Sequence, residues 1–253
     1  MVAQLPAEPA VGDERLFALV PCAGVGERAG VGLPKQYSVL AGRAVVAHTL
    51  HVLACVQRLA NTLVVLSPTD TMFEQHCPQF QGWVARCGGA TRALSVSRGL
   101  DDLLHRGARA NDWVLVHDAA RCLLRSAWVD RLIDACLADP VGGLLAMPVA
   151  DTLKQEMNGR ATETISRAGK WAAQTPQMFR LGLLRDALQG AGANVTDESS
   201  AVESAGFQPR LVPGSVENIK LTWPEDFDLA ERLLGNARPP ASSGSSSLLE
   251  SKS

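Results

Sequence analysis

No stretch of the 253 residues approaches the roughly 18 consecutive apolar residues of a membrane helix, so a helical membrane anchor is not expected. The first residues (MVAQLPAEPAVGDERL) carry neither a basic start nor an apolar stretch, so no secretory signal is expected. There is no excess of one charge: 24 Lys and Arg stand against 26 Asp and Glu, a net charge of -2. That excludes a generally basic nucleic-acid binder, though not a locally basic pocket. The six cysteines, Cys22, Cys55, Cys77, Cys87, Cys122 and Cys136, form no C-x-x-C pair, and several lie in apolar runs. Unpaired thiols in a reducing compartment fit better than a disulfide framework or a zinc site. The five histidines show no H-x-x-x-H or H-E-x-x-H spacing; His48 and His51 share a helical face without a third ligand. A catalytic zinc takes three protein ligands, so no metal site built by the protein alone is expected. The default expectation is a cytoplasmic protein.

What is present is ordinary for a globular chain: 46% hydrophobic and 20% charged residues. The length suits one large α/β domain or two small ones. Residues 1–14 read as a flexible leader, and the Ser- and Pro-rich residues 237–253 as a disordered tail or remnant. Between them, in 15–236, short apolar runs alternate with longer periodic stretches. Leu16–Val20, Leu63–Leu66, Val114–Val116 and Leu144–Met147 suit strands buried on both faces. Helical spacing runs through 126–138 behind a Ser126 cap, and through 91–105 behind Thr91. Thr222-Trp223-Pro224-Glu225 has a capping-box pattern opening a helix that stops at Gly235. The alternation predicts a mainly parallel, twisted sheet with helices on both faces, a Rossmann-like layout with ligands at the carboxyl ends of the strands. Residues 151–175 break the rhythm. Asn158-Gly159 and Ala168-Gly169 are turn signals between short alternating stretches, which predicts a projecting β-arm. Such an arm either exchanges contacts with a second subunit or is an ordinary surface hairpin.

After the first strand comes Pro21-Cys22-Ala23-Gly24-Val25-Gly26-Glu27-Arg28-Ala29. Gly24-x-Gly26-x-x-Ala29 satisfies the dinucleotide fingerprint in form. However, Gly30, Gly32 and Pro34 follow instead of a helix, and no acidic residue lies between Glu27 and Asp70 to hold a ribose. A triphosphate cradle fits better. Small residues let backbone N–H groups approach phosphate oxygens, and Arg28 and Lys35 add a guanidinium fork and a point charge.

These residues carry a resemblance. Pro21-Cys22-Ala23-Gly24-x-Gly26-x-Arg28 and Leu33-Pro34-Lys35-Gln36-Tyr37 resemble the signature loop of the 2-C-methyl-D-erythritol 4-phosphate cytidylyltransferases, of the nucleotidyltransferase superfamily. Gly88-Gly89-Ala90-x-Arg92-x-x-Ser95-Val96, Val116-His117-Asp118-Ala119-Ala120-Arg121 and Asp151-Thr152-Leu153-Lys154 agree in order. So do Gln174-Thr175-Pro176-Gln177, Thr196-Asp197-Glu198 and Asn218-Ile219-Lys220, and the likeness runs from about Leu16 to Leu234.

The resemblance implies that CTP and a sugar-alcohol phosphate are the substrates and that pyrophosphate leaves. It implies catalytic roles for Arg28, Lys35, Arg167 and Lys220. Arg28 and Lys35 would stabilise the transition state; Arg167 and Lys220 would hold the acceptor phosphate. CTP would meet Cys22, Ala23, Gly24, Gly26, Gly88, Gly89, Ser95, Asp118 and Ala119. The acceptor would meet Asp118, Arg121, Thr152, Arg167, Thr175, Thr196 and Lys220. Mg²⁺ would ride on the CTP phosphates, with Asp118 near it through water, and a homodimer would form through the arm. A related acceptor such as ribitol 5-phosphate, or a nucleotide-binding protein without turnover, are the alternatives. Two positions depart from the family: Cys22 where Ala is usual and Cys122 where Pro is usual. The first puts a thiol beside a phosphate site; the second loosens the turn that aims Asp118 and Arg121.

Overall fold

A computed structural model describes residues 14–24, 34–191 and 195–235. The expected leader and tail, and Gly26 and Arg28, therefore lie outside the described residues, Glu14 apart.

Seven strands form one sheet in the order β11-β7-β10-β6-β1-β4-β5. In chain order they are β1 (Leu16–Cys22), β4 (Leu59–Leu66), β5 (Trp83–Ala85), β6 (Trp113–Val116), β7 (Gly142–Pro148), β10 (Trp171–Arg180) and β11 (Arg210–Pro213). Pairing is parallel throughout except at β10, which runs against both β6 and β7. Two short hairpins complete the strands: β2 (Val39–Leu40) with β3 (Arg43–Ala44), and β8 (Leu153–Met157) with β9 (Arg160–Ile165).

The sheet is buried on both faces because its apolar runs are continuous rather than alternating. Along β1, Leu16, Ala18, Val20 and Cys22 face one core, while Phe17 and Leu19 face another. The first core is closed by α1 (Val45–Ala54), α2 (Phe73–His76) and α4 (Ser126–Leu137). The second is closed by α3 (Arg92–His105), α5 (Leu181–Gly190) and α6 (Glu198–Ser204). A third cluster joins Leu40, Cys122, Leu123 and Leu221 to α7 (Pro224–Gly235). Gly99 sets how closely α3 approaches the sheet. A Cβ there would lie 2.7 Å from both Leu19 Cδ1 and Val65 Cγ2.

Thr91 caps α3 as expected, accepting the Leu94 N–H. The α4 cap position is Arg125 rather than Ser126, and no side chain caps it. At α7 the reciprocal carboxylate is Asp226, not Glu225; it accepts the Trp223 and Thr222 N–H groups. The β-arm is narrower than expected. Only 153–165 form the hairpin, turned at Asn158 (φ 53°) and Gly159 (φ 75°), whereas Trp171–Ala173 already pair with β7. A turn with both central residues at positive φ matches the twist of its strands.

Candidate active site

The carboxyl ends of β1 and β6 open on a cavity of about 930 Å³, walled by the 21–24 loop, the start of α3, Asp118–Ala120, and Lys35 and Lys220. Its floor is positioned by backbone pairing. Gln36, in a single 3₁₀ turn at Lys35–Tyr37, donates to the Cys22 and Gly24 carbonyls at 3.3 and 3.0 Å and so holds the loop. The Gly88 N–H donates to Leu66 O at 2.8 Å, and a Cβ on Gly88 would stand 2.3 Å from Ala23 Cβ. Only glycine lets this strand end pass so near the loop. Ser95, 2% exposed, accepts the Gly89 N–H and donates back to Thr91 O.

Four charges form a chain across the cavity wall. Glu198, on α6, takes both terminal nitrogens of Arg92 at 2.6 and 3.0 Å. Arg92 turns its Nε to Asp118 Oδ1 at 2.7 Å, and Lys220 Nζ meets Asp118 Oδ2 at 2.8 Å. Burial opposes ionisation of Asp118, but Arg92 and Lys220 outweigh it and hold the carboxyl well below its ordinary range. At Glu198 burial prevails and raises the pKa against the pull of Arg92. A planar guanidinium with three N–H groups committed to two carboxylates is fixed in direction, which a lysine would not be.

The two lysines converge although 185 positions separate them. Lys35 Nζ donates to Leu221 O at 3.0 Å, next to Lys220 in the chain. Leu221 N–H donates in turn to Ala120 O at 2.9 Å, tying the Lys220 segment to the Asp118 loop. Small loop residues, two lysines and a buried Arg-carboxylate pair are groups whose chemistry suits a polyphosphate, where binding requires positive charge held in place rather than a nucleophile.

A family profile described as IspD, 2-C-methyl-D-erythritol 4-phosphate cytidylyltransferase, matches residues 16–236. The chain belongs to this family. It is 54% identical over 230 residues to the 2-C-methyl-D-erythritol 4-phosphate cytidylyltransferase of Laribacter hongkongensis, covering 87% of this chain and 96% of the relative. It is 59% identical over 221 residues to a bifunctional enzyme IspD/IspF of Albidiferax ferrireducens; there it spans 53% of the relative, about half its length. Among solved structures, a 4-diphosphocytidyl-2C-methyl-D-erythritol synthase is similar with a TM-score of 0.79 at 41% identity, over 88% of this chain and 99% of that one. The Thermus thermophilus 2-C-methyl-D-erythritol 4-phosphate cytidylyltransferase gives a TM-score of 0.72 at 31% identity, over 87% and 98%.

In this cytidylyltransferase-family chain, the expected site residues divide into three groups. Cys22, Ala23, Gly24, Lys35, Gly89, Ser95, Asp118, Ala119 and Lys220 line the cavity. Gly88, Arg121 and Thr175 lie behind the wall. Arg121 donates to the Asn218 and Ala173 carbonyls at 2.6 and 3.4 Å, and Thr175 is buried with its hydroxyl committed to neighbours. Thr152 and Arg167 are exposed at the base of the arm, and Thr196 is exposed just before α6, its hydroxyl on Ser200. The cap of α6 is Asp197, with Ser200 completing a capping box.

Three residues had no expected role: Arg92 and Glu198 of the ion chain, and His117, fully buried next to Asp118. All three stood in the quoted motifs. A buried-strand neighbour such as His117, or a carboxylate following a cap such as Glu198, shows its partner only once the chain is folded. The Cys22 thiol lines the cavity but is 3% exposed, and burial, with Asp70 adding to it, raises its pKa far above the ordinary range. It is a small apolar wall group, not a reactive thiolate. Cys122 is buried and pushed up to about 12 by the same cause. The turn it joins is stiffened by the Arg121 N–H to Asp118 O bond of 3.0 Å rather than by a proline.

Proposed function

We propose that this chain transfers the CMP group of CTP to 2-C-methyl-D-erythritol 4-phosphate and releases pyrophosphate, a step of isoprenoid biosynthesis. One observation carries the proposal: Lys35 and Lys220, remote in sequence, share a single cavity with the small-residue loop and the Arg92–Asp118 pair. Relatives named for this activity, at 54% and 50% identity, support it.

The acceptor phosphate has a second pKa near 6, so it is largely dianionic at neutral pH and needs no general base. Its oxygen attacks the α-phosphorus in line, the bond to the bridging oxygen breaks, and pyrophosphate carries the charge away. The barrier is the meeting of two anions. In this reading Lys35 neutralises the α-phosphate and the departing pyrophosphate, a role shared with Arg28, which lies outside the described residues. On the same reading Lys220 receives the acceptor phosphate, and Arg92 remains to partner Asp118. Cytosine and ribose contacts fall to Gly89, Ser95 and the 118–119 backbone. Such positioning plus fixed charge accounts for the catalysis without a covalent intermediate.

A divalent cation fits best on the phosphates of CTP. Both oxygens of Asp118 already face cations at 2.7 and 2.8 Å, so this carboxylate suits contact through water rather than direct ligation. Bound there, Mg²⁺ supplies charge neutralisation to the leaving pyrophosphate.

Arg167 and Thr152 are exposed and do not line the cavity, and a two-stranded hairpin is marginal in water without further packing. A homodimer in which the arm crosses to a partner's site accommodates both facts. Among the described residues no helix is long and apolar enough to cross a membrane, and all six cysteines are free, which suits the cytoplasm.

The test is pyrophosphate release from CTP with 2-C-methyl-D-erythritol 4-phosphate and with ribitol 5-phosphate as separate acceptors. Preference for the first is expected. A clear preference for the second, or release from neither, would overturn the assignment.

A further inference from the structure

His117 is completely buried at the end of β6, one residue before Asp118, and the transfer chemistry above gives it no task. Its ring nevertheless spends both nitrogens. Nε2 lies 3.2 Å from the Arg121 carbonyl oxygen, and Nδ1 lies 3.0 Å from the Thr175 hydroxyl. A carbonyl can only accept, so Nε2 carries the hydrogen and, in the neutral ring, Nδ1 is bare. The Thr175 hydroxyl then donates to Nδ1, which leaves its lone pair for the Asp118 N–H at 3.1 Å. Every hydrogen in this chain has one direction: Asp118 N–H to Thr175 Oγ1, Thr175 O–H to His117 Nδ1, His117 Nε2–H to Arg121 O. The two ends of the chain are the two ends of the turn that carries Asp118 into the cavity.

We infer that His117 is a positioning residue for the transfer reaction, clamping the 118–121 turn from behind through the Thr175 hydroxyl at one end and the Arg121 carbonyl at the other. The inference rests on the proposed CMP transfer, and it gives Thr175 a different duty from direct contact with the acceptor. The clamp works with one tautomer of a neutral ring. A second ring proton, on Nδ1, would face a hydroxyl that already accepts the Asp118 amide and would leave the hydroxyl hydrogen without an acceptor. Burial is the main force keeping the ring neutral, lowering its pKa to about 4. The charged groups around it are Asp118, which favours protonation, and Arg121 and Arg92, which oppose it.

Two measurements test the clamp. Long-range ¹H–¹⁵N spectra of the whole enzyme should show the His117 ring with a bare Nδ1 and a protonated Nε2, unchanged between roughly pH 6 and 8, where an ordinary histidine titrates. A proton on Nδ1, or a midpoint near the ordinary value, overturns the inference without any substitution. Kinetics form the second arm. Thr175→Val should lower kcat about ten-fold, the scale of leaving one buried amide without its acceptor, while Thr175→Ser retains most of the rate. His117→Gln should cost a similar factor, and the double variant no more than either single change, because the two side chains act in series. Multiplying effects, or a change confined to the KM of the acceptor, would assign Thr175 to the acceptor and defeat the clamp. Should His117→Gln fail to fold, the spectra and the Thr175 pair still decide. Absence of CMP transfer by the unaltered enzyme would defeat the proposed function instead, leaving the ring tautomer as the measure of the clamp.

Discussion

The cavity wall and the β8–β9 arm solve opposite problems with the same kinds of residue. Lys220 is held by Asp118, which is held by Arg92, which is held by the buried Glu198. Arg167, at the foot of the arm, is exposed, as is nearly every side chain of the hairpin. One cation is aimed by the fold itself; the other stands exposed at the foot of the arm. The difference lies in what stands behind each charge: Lys220 is partly open to solvent yet rests on the buried Asp118, whereas Arg167 sits on a projecting ribbon.

Four measurements would break or sharpen this contrast. Glu198→Ala should produce the largest effect on the wall, because it removes the buried carboxylate that takes both terminal nitrogens of Arg92 and leaves only Asp118 to hold that charge. A loss of about 3–5 kcal/mol in urea unfolding is expected, and a change below about 1 kcal/mol would show that the ion chain is not structural. Lys220→Ala and Lys35→Ala should each lower the transfer rate by about 10² to 10³, the scale of removing one preorganised donor to the transition state. A rate within a few-fold of the parent would remove that lysine from the mechanism. Acidification comes next. The folded chain refuses a proton at His117 until about pH 4, while the unfolded chain accepts it near 6.5. The unfolded state therefore binds more protons between these values, and stability rises with pH across that window. About 3 kcal/mol should be lost as pH falls from roughly 6.5 to 4, and His117→Gln should remove that part of the slope. The smallest effect belongs to the arm. Gly159→Ala forces a side chain into positive φ, yet at an exposed hairpin tip the global unfolding midpoint should barely move. A drop of more than about 1 kcal/mol would mean that the arm supports the core after all.

Much of the scaffold was legible because its signals are local. The apolar runs at Leu16 and Val114 marked buried strands, Asn158-Gly159 marked a turn with positive φ, and Thr91 marked the start of α3. Helices α2, α5 and α6 were not foreseen, and α1 only as a helical face shared by His48 and His51. Nor was the reversed direction of β10, since strand order is set by pairings between distant segments. At the site, composition and the family likeness pointed to the cations but not to what holds them. Arg92 meets Asp118 and Glu198 across 26 and 106 positions, and no spacing rule links such separations. Ser126 at the start of α4 shows the converse failure. A residue type favoured at caps sat one position inside the helix, where its hydroxyl had no capping task.

The burial of Cys22 has a practical corollary for anyone wishing to tag or inhibit the protein through sulfur. An electrophile drawn into the cavity would find a protonated, shielded thiol, while Cys55, just past the end of α1, stands in the open. Mild alkylation should therefore decorate Cys55 first, giving a fluorophore an attachment point that does not line the cavity, and cysteine-seeking warheads are a poor starting point against this pocket.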